Sequence, residues 1–159
     1  NLYPKNAIDV YIEIIEAEAG TRCAGVTAAA VALADAGIPM RGMVSSVAAG
    51  KVDGKVCLDL SREEDNYGET DFPIAIVPKT QEIVLLQQDG HFSPAELDQA
   101  LDMAMAAANE IYQVQKDALL RRYRSAAAGD DVDAEPEAEA AAAPSDNDAV
   151  HDHDETEVA

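Results

Sequence analysis

Two groups of residues in this sequence have the types and spacing that phosphate chemistry needs. The first is Gly20-Thr21-Arg22. A glycine admits close backbone approach. The Thr21 hydroxyl and the first free N–H groups of a following helix can converge on one anion, and the planar Arg22 fork matches phosphate oxygens. The same triplet also reads as a tight turn between two helices, with a capping threonine and a surface arginine. The second group lies between Ser61 and Pro73, a stretch with five carboxylates. Asp71 stands at a strand edge, and Asp65 lies six residues earlier across a loop that Gly68 lets fold back. Two carboxylates brought together raise each other's pKa. A bound Mg2+, or another divalent cation, removes that penalty and accepts phosphate oxygens. The plainer reading is a solvated acidic loop, and neither group decides the matter alone.

Other candidates are weaker. His91 follows Asp89-Gly90 in a turn, and His151 and His153 sit in a polar tail. No Ser/His/Asp or Cys/His arrangement presents itself, and there is no P-loop or GxGxxG. The basic residues at 116–124 complement a helix C-terminus before they suggest an RNA contact.

These groups need elements to hold them. Residues 6–18 read as a helix, with Ile8, Ile12 and Ile15 on one face and Asp9, Glu13 and Glu16 on another. Gly20 ends it. A second, nearly all-apolar helix runs from about Arg22 to Ala36, closed by Gly37 and Pro39. Met43 to Val52 is a strand, Asp53-Gly54 a hairpin turn, and Val56, Leu58 and Leu60 a half-buried strand. A polar loop follows at 61–70. Two more strands, Phe72 to Val77 and Glu82 to Gln87, flank the turn at 78–81, with Pro73 near the start of its strand. The last element is a long helix with Ser93 as N-cap, Pro94 first and Glu96 closing a capping box. Leu97, Leu101, Met105, Ala108, Ile111 and Tyr112 form its apolar face. The expected fold is α+β, two helices, a four-stranded antiparallel meander and a helix, with the helices on one face of the sheet.

Composition sets the limits. The chain has 159 residues and a formal net charge of −20, of which the final stretch 129–159 carries −12 with no Lys or Arg. That stretch is Ala, Glu, Asp and Pro without apolar periodicity, so the folding unit is 1–125 and 126–159 reads as a disordered acidic tail. The body is acidic as well, which opposes direct binding of nucleic acid. Few aromatics, no Trp and many alanines fit a protein adapted to high salt. Cys23 and Cys57 lie in apolar segments, as small hydrophobes of a reducing cytoplasm do. No apolar run reaches the ~18 residues of a membrane span, and no signal peptide is visible. The chain begins with Asn, which reads as the later part of something longer.

With the motifs in view, the sequence resembles the RNase PH family of phosphorolytic exoribonucleases. The likeness runs through Ile8-Asp9-Val10, Glu18-Ala19-Gly20-Thr21-Arg22 and Ala32 to Arg41. It continues through Gly50 to Gly54, Leu58-Asp59-Leu60, Glu64-Asp65 and Gly68 to Ala75, covering about residues 2–123. The Asp71-Phe72-Pro73-Ile74-Ala75 variant is closer to the catalytic subunit of the archaeal exosome than to the bacterial enzyme.

The resemblance implies the later half of an RNase PH-like (ribosomal protein S5 domain 2-like) fold. It implies attack of inorganic phosphate on the last phosphodiester of an RNA 3′ end, releasing a nucleoside diphosphate. Gly20, Thr21 and Arg22 would bind the phosphate, Asp65 and Asp71 the divalent metal, and Asp71 would be catalytic. Implied partners are RNA 3′ ends, a sister subunit in a hexameric ring whose pore threads the RNA, and RNA-binding cap subunits. Family members begin with about a hundred more residues, so the isolated chain is expected to have little or no activity. Two further readings remain: a non-catalytic ring subunit, against which Thr21, Arg22 and Asp71 argue, and a bacterial-type enzyme trimming transfer RNA ends.

Overall fold

The two central strands of the sheet are built largely from small and β-branched residues and are buried on both faces. The computed structural model of the chain describes residues 4–128. From 129 onward the acidic tail, with His151 and His153, lies outside the described residues. The elements run α1 (Thr21–Asp35), β1 (Ser45–Val52), β2 (Lys55–Leu58), α2 (Arg62–Tyr67), β3 (Thr70–Val77), β4 (Glu82–Leu86), β5 (Asp89–Gly90) and α3 (Pro94–Ala128). All strand pairs are antiparallel, in the order β2-β1-β3-β4, with β5 also on β3. The expected helices against an antiparallel sheet are therefore found.

The order is not a meander. β3 passes over β2 and pairs with the other edge of β1. The reason lies in the connection: residues 61–67, read as a polar loop, form the short helix α2 with its own capping box. The Ser61 hydroxyl accepts from the Glu64 amide and the Glu64 carboxylate accepts from the Ser61 amide. A helical turn is too long for a hairpin and carries the chain across. Asp53 and Gly54, both at positive φ, make the expected tight turn between β1 and β2.

Residues 6–18 are not a helix. They run extended and unpaired. Ile8, Val10, Ile12 and Ile14 alternate along the chain, and that period-2 pattern competes with the Ile8, Ile12, Ile15 spacing. The alternation is visible in the exposure: these four side chains lie between 46% and 51% exposed, while Tyr11 and Ile15 reach 88% and 99%. The inner row rests on α1, where a Cβ added to Gly25 would come within 3.2 Å of Ile12.

The core sits between β1, β3 and α3. Val47, Ala49, Phe72, Ile74, Ile76 and Phe92 meet Ala100, Ala104 and Ala108. The alanines recur every fourth residue and are fully buried, which lets the helix backbone close on the sheet. The longer residues expected on that face, Leu97, Leu101, Met105 and Ile111, flank this stripe half-buried. Phe72 and Phe92 meet edge to face at 5.7 Å, a favoured aromatic geometry. Gln115, buried, braces three elements: its amide donates to the carbonyls of Thr27 and Val44 at 3.1 and 3.0 Å and accepts from Ser45 at 3.0 Å. β2 leaves the first half of β1 unpaired, and α1 takes its place there, Thr27 Oγ1 accepting from the Ser46 amide at 3.1 Å.

Candidate functional site

The strand that seals the core also carries Asp71. In β3, Phe72, Ile74 and Ile76 face α3, so Asp71 points to the opposite side with Ser46 and Gly50 of β1. The first turn of α1 meets that side, where Cys23 lies buried against Ser46. Burial pushes the Cys23 thiol above its usual pKa, Asp71 pushes it further, and Ser46 and Arg22 oppose this.

Gly20 precedes α1 in a left-handed conformation, φ 59°, and no side chain caps the helix. The first intrahelical bond runs from the Cys23 amide to the Gly20 carbonyl at 2.9 Å, so the amides of Thr21 and Arg22 stand before it. Thr21 is inside the helix rather than its cap. The first turn holds no acid, which leaves the positive end of the helix dipole uncompensated from within. This suits an anion.

Asp71 gathers the remaining charges. Burial raises its pKa above the ordinary aspartate value, and the Asp65 charge raises it further. Arg22 and the Phe72 amide lower it, and Asp89 raises it again. Arg22 and Asp65, both chosen from the sequence, therefore each fall within electrostatic reach of Asp71. A cavity of about 210 Å³ is lined by Asp65, Asn66, Thr70, Asp71, Asp89 and Gly90. Asp65 and Asp71 supply hard oxygen donors with an unrelieved repulsion, the chemistry a divalent cation fits. Among the described residues no three Asp, Glu, His or Cys side chains converge into a ready-made metal cluster.

The Exosome complex component Rrp41 of Thermoplasma acidophilum is 59% identical over 128 residues, 80% of this chain and 52% of the relative. That of Thermococcus kodakarensis is 52% identical over 127 residues, again 80% of this chain and 51% of the relative. Residues 1–39 match the 3′ exoribonuclease family, domain 1, and residues 42–107 match its domain 2. The chain belongs to the RNase PH family.

The chain spans about half the length of the curated relatives it matches. The solved structure of rice Rrp46 has the same RNase PH fold, with TM-score 0.60 at 18% identity over 65% of this chain and 49% of that one. The boundary between the two family domains falls just after α1, so the Gly20 to Arg22 turn comes from one and Asp65 and Asp71 from the other. Among the described residues no helix is long and apolar enough to cross a membrane.

Three residues around this candidate site were not legible as such in the sequence. Asp89 reads as a turn residue, yet β5 sets it opposite Asp71. Gly90 holds β5 there at φ 96°, where a Cβ would stand 2.1 Å from the Glu69 carbonyl. Lys51 reads as an ordinary strand-end lysine. Its ammonium lies 2.8 Å from Glu96 and 3.3 Å from Glu69, and its carbonyl accepts from the Glu69 amide at 2.7 Å. Lys51 thus ties the end of the acidic segment to the α3 N-terminus. Hydrogen bonds from Lys51 and Ser93 draw the Glu96 carboxyl down to a pKa of about 2. Gln87 donates its amide to the Pro73 carbonyl at 3.1 Å and accepts from the Arg22 guanidinium. Only the amide pair Gln87-Gln88 ahead of Asp89 could have drawn attention to it.

Proposed function

We propose that this chain carries the catalytic half of a phosphorolytic 3′-to-5′ exoribonuclease subunit of an archaeal-type exosome. The observation that supports the reading best is that Arg22, from one family domain, and Asp65, from the other, both act on Asp71 at one strand end. Inorganic phosphate is the co-substrate. It rests on the free amides at the start of α1, the Thr21 hydroxyl and the Arg22 fork. Gly20 keeps the backbone open to it, its φ of 59° being strained for other residues.

A phosphate oxygen attacks the phosphorus of the last phosphodiester. The bond to the neighbouring 3′ oxygen breaks, and the terminal nucleotide leaves as a diphosphate. The departing 3′ oxygen takes a proton from the acid edge, where Asp71 has a raised proton affinity. Asp65 and Asp71 are the residues that would hold a divalent cation such as Mg2+. When bound, that cation neutralises charge on the two phosphates. A ring shared with a sister subunit, with RNA-binding cap subunits above it, reconciles an acidic body with an RNA substrate. Two free cysteines suit a reducing cytoplasm.

The test grafts this chain in place of the matching half of the Thermoplasma acidophilum relative and assembles the result with the other components of that complex. Diphosphate release from RNA is measured against inorganic phosphate. Asp71→Ala is expected to lower kcat by about 10²-fold or more, and Arg22→Ala to raise the phosphate KM. Undiminished release by Asp71→Ala would refute the role given to Asp71.

A further inference from the structure

We propose that Gln87 is a positioning residue for phosphate: it aims the Arg22 guanidinium with a neutral oxygen and so leaves its charge for the incoming anion. The inference rests on the reading of Gly20-Thr21-Arg22 as the phosphate site. Arg22 lies within electrostatic reach of Asp71, on which Asp65 and Asp89 also act. Yet among the described residues the ion pairs within 4 Å are made by Lys51, Arg62 and Arg122, and Arg22 makes none of them. Its recorded side-chain bond runs instead from Nη1 to the Gln87 Oε1.

The difference between an amide and a carboxylate is decisive for an anion site. A carboxylate partner would pair the guanidinium and repel phosphate. An amide oxygen fixes the same nitrogen without cancelling charge, and the fork keeps its remaining donors for phosphate oxygens.

Gln87 is itself held. Its backbone amide donates to Pro73 at 3.1 Å, two residues along β3 from Asp71. The path from guanidinium to Asp71 therefore runs through one side-chain bond, one backbone bond and two residues of a central strand. Gln87 thereby fixes the phosphate fork to the strand that carries the acid. Proximity of this kind is what an in-line displacement demands.

The experiment uses the grafted, assembled subunit described above. Phosphate KM and kcat are measured for Gln87→Ala, Gln87→Glu and Arg22→Ala, with melting temperature as a control. Gln87→Ala is expected to raise the phosphate KM about tenfold with kcat changed less than twofold. Gln87→Glu keeps the shape and the acceptor oxygen but pairs the charge, and is expected to raise KM more. In the chain itself, the Arg22 Nε–H NMR signal should broaden in Gln87→Ala and remain sharp in Gln87→Glu. Wild-type phosphate KM in both Gln87 variants, with Arg22→Ala impaired, would overturn the inference and leave the phosphate site standing. Wild-type KM in all three would overturn both. A loss of kcat and melting temperature at constant phosphate KM would reduce Gln87 to a structural role and overturn the inference.

Discussion

Residues 6–16 and β1 make an instructive pair. By side-chain type the first is the better strand: Ile, Val and Tyr fill it, whereas β1 is made of Ser, Ala, Gly and a few larger residues. Yet β1 is central in the sheet, with β3 along one edge and β2 along part of the other, and the first segment has no strand partner. Small side chains allow β1 to be packed from both faces and crossed closely by α1 and α3. Large β-branched ones in 6–16 need a covering layer, yet they stay about half exposed where Ile12 rests on α1 at Gly25. What makes a strand here is the partner, and propensity only permits it.

The sharpest way to break the contrast is to truncate one side chain at each region. Phe72→Ala empties the fully buried ring beside β1 and is expected to cost about 3–5 kcal/mol in urea unfolding. Ile15→Ala removes a side chain that is 99% exposed and is expected to change stability by less than about 0.5 kcal/mol. Equal costs would mean that 6–16 is packed in solution as firmly as β1.

A second, smaller effect concerns how β1 is tied at its far end. Glu96, paired with Lys51 of β1, has a carboxyl pKa lowered from 4.5 to about 2. A depressed acid contributes stability that is fully present above its unfolded pKa and is lost as pH falls through the folded value. Unfolding followed between pH 5 and pH 2 should show that loss in the wild type, and Glu96→Gln should flatten it. Hydrogen bonding at Ser93 survives in Gln, so the difference isolates the charge. The Lys51 side of the pair has the opposite sign: its raised pKa keeps the contribution until pH climbs past the ordinary lysine range.

The smallest effect is expected at the acid edge. Asp71 has a raised pKa from burial and from Asp65, so ionising it weighs against the folded state. The penalty is absent well below 3.8, where both states are protonated, and complete above the raised folded value. Asp71→Asn should therefore raise the melting temperature slightly at neutral pH and not in strong acid, while activity is lost. A lowered melting temperature at neutral pH would show that Asp71 is structural. Sites of this kind commonly hold strain that stability alone would remove.

Much of the fold was legible. The hairpin at Asp53-Gly54 and the cap at Ser93 to Glu96 are local devices, complete within four residues of sequence. The second capping box, Ser61 to Glu64, is equally local but was masked by the acidic run around it. The misread stretch, 6–18, carries both periodicities, and a partner's presence, not its own residues, selects between them. In the candidate site, Gly20, Thr21, Arg22, Asp65 and Asp71 stood out by chemical type. Gln87, Asp89 and Lys51 did not, because each acts through a neighbour at least 15 residues away, as Arg22 and Gln87 do across 65.

By itself the sequence determined which residue types suit an anion or a proton, where α1 and α3 start, and which strand residues turn toward an apolar layer. Those are properties of side-chain chemistry and of periods of 2 and 3.6 residues. Only the tertiary structure decided that β3 would cross to the far edge of β1, bringing Asp71, the start of α1 and the Gln87 segment to one place. Strand order depends on which hydrogen-bonding edge is left open once β2 has folded back, and no local stretch of sequence holds that information.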